Sequence, residues 1–502
     1  MQLKSYLPYF LFFVLLVTIA FGLTYNLLDP DFGWHIKSGE LILERGIPYQ
    51  DWYSFSMPNF PWVNHEWLMD IFMYWIYSAI GMYGLLLVFL VFYTTSFFII
   101  QKPKHFLAFA LPVALGFLAT TEFLGLRPQL FTVFFVALLM WLLDAFLGEN
   151  SKLVWLLPLL FLTWVNLHAS FFAGLFILCV ILVCEVFKKI LPRLREIKSL
   201  AFLKNFQIQE QPSQKIWQLA GITLLCCLIT LANPYGIRIY EELFRTIGDS
   251  YLKFHITEWF PLFLMGFKPL IYLYLAILVA SIALFYKKID FTKLVLVTAF
   301  FLLSLSSIRY FLVFVIVSLP VLVSLVDGIQ IDSKKLKQLF GSFSLVNKGI
   351  FLVPPLAVVI CLAVYASQAV SQAVAAQKTA FYPEKAISFL KTLPLSENML
   401  NDYTFGGYLI WKLPERKVFI DGRMPSWRLP ANEAGHNGRF AFKDYIEITE
   451  VKEGFEKTLK TYDIRIAVIQ ASIKNGALYN GLLKLGFTTA YEDEAIIILR
   501  KP

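Results

Sequence analysis

The sequence predicts an α-helical protein that crosses a membrane many times and carries an α/β domain at its C-terminal end. Three observations predict it. The 502 residues are 58% hydrophobic and only 16% charged, whereas soluble globular domains hold about 25% charged residues. The apolar residues fall in repeated runs of roughly 18 to 22, the length that spans a bilayer. After about residue 371 the long runs give way to charged stretches with short apolar segments.

The runs mark about eleven spans, near 6–27, 84–101, 106–121, 129–147, 153–168, 170–187, 216–233, 269–286, 291–307, 309–327 and 349–369. The first is long for a signal-peptide core and no small-x-small site follows it, so a retained helix is expected. Alternate loops carry most of the Lys and Arg, in "QKPK", "KKILPRLREIKSL", "KKIDFTK" and "DSKKLKQ". Positive loops stay in the cytoplasm. The expected orientation is therefore a cytoplasmic N-terminus, a cytoplasmic-membrane body and an extracytoplasmic C-terminus. The net charge of +9 is accounted for by these loops and needs no nucleic-acid partner. Residues 188–215 read as an amphipathic segment on the inner surface. Cys179, Cys184, Cys226, Cys227 and Cys361 sit inside apolar runs, without metal-binding or disulfide spacing.

Two domains follow: 1–370 in the membrane, with a long outer loop at 28–83, and 371–502 outside it. In the second, "KVFIDGR", "IRIAVI" and "AIIILRK" read as strands. "PEKAISFLKTL", "VKEGFEKTLKTY" and "GALYNGLLKLG" read as helices, with Pro383 opening the first and Gly486 closing the last.

The polar residues that interrupt the pattern fall on one side of the predicted topology. Asp29, Asp31, His35, Glu66, Arg127, His168, Glu258 and Arg309 all map to outer loops or span edges. Ionisable groups at a bilayer edge are costly and mark function. One outward cavity lined by carboxylates, histidines and arginines would account for them all. Asp29 followed by Pro30 reads as a helix N-cap with proline in the first turn. Asp31 is then free for chemistry, and His35 lies four residues on, along the same helical face. Glu66 reads either as a site residue or as support for the helix that starts after Asn64. Arg127 and Arg309 sit where the orientation rule disfavours positive charge, and a guanidinium pairs bidentately with phosphate. His168 and Glu258 are further candidates for contact with substrate. The tryptophans of the first loop, Trp34, Trp52, Trp62 and Trp67, read as an interfacial belt or a sugar platform.

The segments "DPDFGWHIKSGELILERGIPYQDWYSFS", "WVNHEWL", "LRPQL", "WVNLHASFFAGL", "NPYGIRIYE", "ITEW" and "GGYLIW…VFIDGR" resemble a bacterial group within the GT-C superfamily. That resemblance spans nearly the whole chain. It implies a GT-C-like fold, a polyprenyl-phosphate sugar donor, an outer-face site and an aspartate base in the first outer loop. Asp31 matches that position best and Asp29 second. Many GT-C enzymes carry an adjacent acidic pair there, whereas this chain has Asp-Pro-Asp. The expected activity is inverting transfer of a hexosyl or pentosyl group to a lipid, glycan or protein acceptor. No Gly-rich phosphate loop is present. A divalent metal could be held by Asp31, His35 and Glu66, although no ligand spacing enforces one. A flippase or transporter for a lipid-linked saccharide explains the arginines equally well but the carboxylates less well. A membrane assembly protein is the third reading.

Overall fold

The computed structural model describes residues 3–25, 29–99, 105–149, 151–194, 207–327, 383–428 and 440–502, with helical fragments between 360 and 372. A helical bundle comes first: α1 (Leu3–Thr24), α2 (Phe32–Arg45), α3 (Trp67–Ile99), α4 (Phe106–Ala119), α5 (Gln129–Glu149), α6 (Leu157–Leu167), α7 (Phe171–Leu194), α8 (Ser213–Ile229), α9 (Arg238–Gly248), α10 (Leu252–His255), α11 (Pro269–Phe285), α12 (Phe291–Ser306) and α13 (Phe311–Asp327). Among the described residues, six helices are long and apolar enough to cross a membrane: α1, α3, α5, α7, α11 and α13. Shorter apolar helices lie at Phe106–Ala119, Lys152–Leu167, Ser213–Ile229 and Phe291–Ser306. The helix is the natural state for such runs, because in lipid every backbone polar group must be satisfied within the segment.

Ten of the expected spans thus correspond to helices, and the eleventh, near 349–369, falls mostly outside the described residues. One boundary differs. The helix expected at about 84 starts at Trp67 and bends at Gly81, which has φ 73° and ψ −175°. The stretch before the bend packs against α2. That stretch is the helix expected to start after Asn64, so two expected helices are joined across this bend. Likewise α7 continues to Leu194, and the rest of the expected surface segment, up to residue 206, lies outside the described residues.

The C-terminal part holds α14 (Glu384–Thr392), β1 (Asn398–Asn401), α15 (Gly406–Lys412), α16 (Ala441–Thr449), α17 (Phe455–Thr461), β2 (Ile464–Gln470), α18 (Ala477–Lys484), β3 (Thr488–Glu492) and β4 (Ile496–Arg500). The sheet order is β1-β2-β4-β3. β1 runs parallel to β2 and the other pairs are antiparallel. β2 and β4 are buried along most of their length, as their continuous apolar runs require. The expected strand "KVFIDGR" does not join this sheet. Val418 instead bridges Ser54 of the first outer loop, donating its N–H to Tyr53 (3.0 Å) and accepting from Phe55 (3.2 Å). An extended apolar segment needs a backbone partner, and here the partner is the loop rather than another strand.

That loop and the C-terminal part share one apolar cluster. Trp34, Leu41, Tyr53, Met57, Phe60 and Trp62 are buried together with Leu409, Val418, Phe419, Ile420 and Trp427. Phe60 stacks on Trp427 with centroids 4.4 Å apart. The loop tryptophans Trp34 and Trp62 are therefore core residues and not a belt. α2 is buried on both sides: Phe32 and Ile36 enter the bundle core, while Trp34 and Leu41 enter the outer one.

Backbones meet where α2 crosses α15. A Cβ on Gly407 would lie 2.2 Å from the Pro30 carbonyl oxygen, and one on Gly33 would lie 2.1 Å from the Gly407 oxygen. Only glycine permits this approach. Gly407→Ala should therefore lower stability by about 1–3 kcal/mol, read as a fall in melting temperature. Gly22→Ala, with nothing within 4 Å of the new methyl, should leave it unchanged.

Candidate active site

The turn after α1, the start of α3 and the turns preceding α5, α7, α11 and α13 converge at one end of the bundle. The expected site residues lie on them and form two charged chains. In the first, the Arg127 Nε pairs with the Asp29 carboxylate, and Arg127 Nη1 donates to Glu258 Oε1 at 2.5 Å. Glu258 Oε2 lies 3.9 Å from Arg309 Nη1. The Arg309 guanidinium stacks 5.0 Å from the centre of Trp259. In the second, His35 Nδ1 lies 2.6 Å from Asp70 Oδ1, and its Nε2 lies 3.8 Å from Glu66 Oε2. Glu66 Oε1 accepts from His168 Nε2 at 3.1 Å. The Ser170 N–H donates to His168 Nδ1 at 3.0 Å, which leaves the proton of a neutral ring on Nε2, facing Glu66.

Asp29 does not cap α2. The helix starts at Phe32, with Asp31 in the N-cap position. The Asp29 carboxylate instead accepts the Asp31 N–H at 2.9 Å and neutralises Arg127. Asp-Pro-Asp thus forms a tight aspartate turn ahead of the helix, because a short acceptor two residues back can satisfy a first-turn donor. Asp31 is left with no ion-pair partner among the described residues. Its carboxylate lies against Gly422, where a Cβ would come within 1.8 Å of Oδ1. Burial, and then the charge of Asp29, push the Asp31 pKa up to about 7, with His35 opposing.

His35 shares a helix with Asp31 but turns toward α3. Burial alone would lower its pKa. The hydrogen bond to Asp70 and the charges of Asp70, Glu66 and Asp31 outweigh that and raise it to about 9. It is an imidazolium at neutral pH. Burial would raise the Glu66 pKa, but His168, His65 and His35 hold it below the usual range. Partial desolvation would raise the Glu258 pKa, but Arg127 and Arg309 hold it below the usual range. The divalent ion considered for Asp31, His35 and Glu66 finds no donor set: His35 is committed to Asp70 and Glu66. Among the described residues, no three His, Cys, Asp or Glu groups are arranged to hold a metal.

Several contributors have little or no signature in the sequence. Asp70 has one, as an acidic residue four after Glu66 within the otherwise apolar "EWLMDIFMYW"; it is fully buried and also accepts from Asn64 at 2.7 Å. Asn64 accepts the Glu66 N–H at 3.1 Å, an aspartate-like turn ahead of α3, which starts at Trp67, rather than the N-cap expected of it. Tyr403 has none. Its phenol pKa is raised by burial and then by the charges of Asp31, Glu258 and Asp421, while its ring packs on Phe442 and Tyr445. Asp421 and Arg423 are structural. Arg423 donates to Asp421 at 2.8 and 2.7 Å, pairs with Asp51 at 2.9 Å, and lies over Tyr53 and Trp62. A cleft of about 490 Å³ opens at this end of the bundle, between Trp67, Leu162, Asn166 and Pro234. None of the expected site residues lines it; Trp67 and Asn166 on its wall are joined by a 3.0 Å hydrogen bond.

Neither a protein-family model nor a curated protein sequence matches the chain. Solved structures do. The oligosaccharyltransferase AglB of Archaeoglobus fulgidus, determined with an inhibitory peptide and a dolichol-phosphate, is 12% identical with a TM-score of 0.54, covering 100% of this chain and 75% of its own. The fold is that of the GT-C enzymes. The same archaeal enzyme tethered to an acceptor peptide gives 0.54 at 11% identity, over 94% of this chain and 70% of that one. ArnT of Cupriavidus metallidurans in the apo state gives 0.50 at 13% identity, over 99% and 98%.

The histidine chain yields a stability test. His35→Gln strands Asp70 in the core and should cost about 3–5 kcal/mol at neutral pH. The folded pKa of about 9 exceeds the ordinary 6.5. The stabilisation is thus complete below about pH 6.5 and is lost as pH rises through about 9. Melting temperatures of the two proteins should converge over that window.

Proposed function

We propose that this protein is an inverting glycosyltransferase. It moves a sugar from a polyprenyl-phosphate donor to an acceptor hydroxyl at the outer face of the cytoplasmic membrane. The observation that carries this reading is Asp31: a carboxylate where five turns and the start of α3 meet, without an ion pair among the described residues, its pKa pushed up to about 7 by burial. A general base works best with a pKa near the operating pH. Every other acidic group of the site is engaged with a base: Asp29 and Glu258 with Arg127, Glu66 with His168, Asp70 with His35.

Asp31 takes the proton of the acceptor hydroxyl. The oxygen attacks the anomeric carbon from the face opposite the phosphate. The bond to the phosphate oxygen breaks, and polyprenyl phosphate leaves with the bonding electrons. That leaving group is already stable as an anion, so it needs positive charge more than an acid. Arg309 and Arg127 supply it. The two histidines of the second chain, with Glu66, brace the start of α3 beneath the sugar. The C-terminal residues, through Gly407 on Pro30 and Gly422 on Asp31, cover the site from outside and help to hold the acceptor. In this orientation the N-terminus is cytoplasmic and the C-terminus extracytoplasmic. The dolichol-phosphate in the AglB structure supports the donor class.

Purified full-length protein with a polyprenyl-phosphate sugar tests the reading. Transfer or hydrolysis is expected, with a rate that rises as pH passes through about 7. Movement of the intact lipid across a bilayer without cleavage would make the protein a carrier instead. Asp31→Asn should fold normally and lose about 10²–10⁴-fold in kcat. Asp29→Asn keeps the turn acceptor but breaks the pair with Arg127. It should lose about 1–3 kcal/mol of stability, with a smaller loss of rate than Asp31→Asn when protein levels are matched. The reverse order would move the base to Asp29.

A further inference from the structure

The arginines expected to receive phosphate are not vacant. Glu258 stands between them, one oxygen 2.5 Å from Arg127 Nη1 and the other 3.9 Å from Arg309 Nη1. A carboxylate spanning two guanidinium groups presents two anionic oxygens, as a phosphate would.

The two acids on Arg127 differ. The Asp29 side chain is 7% exposed, whereas that of Glu258 is 39% exposed. Asp29 also holds the turn into α2 through the Asp31 N–H, so its pairing belongs to the fold. Glu258 has no such second task among the described residues. Its side chain ends on the arginines alone.

The backbone beneath Glu258 is fastened to the turn that carries Arg309. The Ser307 hydroxyl donates to the Glu258 carbonyl at 3.2 Å, and the Ile308 N–H donates to the Phe260 carbonyl at 2.9 Å. Trp259 holds the flat face of Arg309. Rotation of the Glu258 side chain would therefore clear the space between the arginines without moving the turn or the guanidinium groups. A side chain more than a third exposed makes such a rotation at little cost, since water solvates the released carboxylate.

We propose that Glu258 is the resident counter-ion of the phosphate subsite. It occupies the space between Arg127 and Arg309 in the empty protein and is displaced by the phosphate of the ligand, a diester in the sugar donor and a monoester in the lipid phosphate that leaves. The inference rests on the phosphate-donor reading above. It gives Glu258 a role opposite to that of a substrate contact. The carboxylate competes with the ligand and keeps two unpaired cations from facing each other at the membrane edge.

Competition has a measurable sign. If a binding-competent state is populated only when Glu258 is out, apparent affinity falls by that fraction. Removing the charge should restore it. The test titrates the full-length protein in detergent by calorimetry with farnesyl phosphate, with farnesol and with inorganic phosphate. Glu258→Gln should bind farnesyl phosphate roughly 3- to 30-fold more tightly than the unaltered protein, with farnesol unchanged. Glu258→Asp, which keeps the charge but is one methylene too short to span both arginines, should fall between them; it serves if the glutamine variant does not fold. Arg309→Ala should weaken farnesyl phosphate in either background. Without ligand, Glu258→Gln should melt lower, and farnesyl phosphate should raise its melting temperature by more than it raises that of the unaltered protein.

Equal or weaker binding by both Glu258 variants, with the unaltered protein still binding farnesyl phosphate, overturns the counter-ion role and leaves the donor reading standing. Absence of farnesyl phosphate binding in all of them removes the donor reading and this inference together. Tightening seen equally with inorganic phosphate supports the counter-ion role and assigns the subsite to the free ion rather than to a lipid headgroup.

Discussion

The contact on which this molecule depends is one of backbone on backbone. Residues 30–33 enter α2 directly against Gly407, with no side chain between them. A wider separation would lift α15 off the bundle. Three other features are set by this distance. The first outer loop and the C-terminal part can close into one apolar cluster. Arg423 can reach Asp51 while resting on Tyr53 and Trp62. Gly422 can come down onto the carboxylate of Asp31. The outer loop is thus built jointly with the C-terminal part, and the site it carries has a roof.

Electrostatics then divides the charged residues by task. A low-dielectric edge leaves an ionised group three courses: find a partner, meet water, or shift its pKa. Asp29, Glu66, Asp70 and His35 take the first, in pairs that tie α2, α3 and the turns before α5 and α7 to one another. Glu258 and Arg309 stay partly in water. Asp31 takes the third course. Its neighbour Asp29 has already used Arg127, and its helical neighbour His35 faces away toward Asp70. The reactive character proposed for Asp31 follows from partners that other residues have taken.

Much of this was legible in the residues. Apolar runs located the bundle helices, because length and hydrophobicity decide whether a segment can cross lipid. The same alternation of loops placed Asp29, Asp31, His35, Glu66, Arg127, His168, Glu258 and Arg309 at one end, where the structure brings them together. Several assignments were not legible. "KVFIDGR" has the composition of a strand, yet it pairs with Ser54, more than three hundred residues earlier in the chain. Strand composition reports a need for a partner and not which partner. Asp29 next to proline has the form of an N-cap, and only the position of Arg127 shows why its carboxylate lies elsewhere.

By itself, then, the sequence determined the membrane-crossing helical class, the gathering of the ionisable residues at one end of the bundle and the change of composition in the C-terminal residues. These depend on local composition and on a one-dimensional alternation across the bilayer. Tertiary structure alone decided that Asp31 keeps no ion pair among the described residues, that His35 and His168 pair with Asp70 and Glu66, and that Gly422 lies on the Asp31 carboxylate. Ion pairing and backbone approach are contests among groups distant in the chain. Their outcome depends on differences of an ångström or two between competing partners, and such distances exist only once the chain has folded.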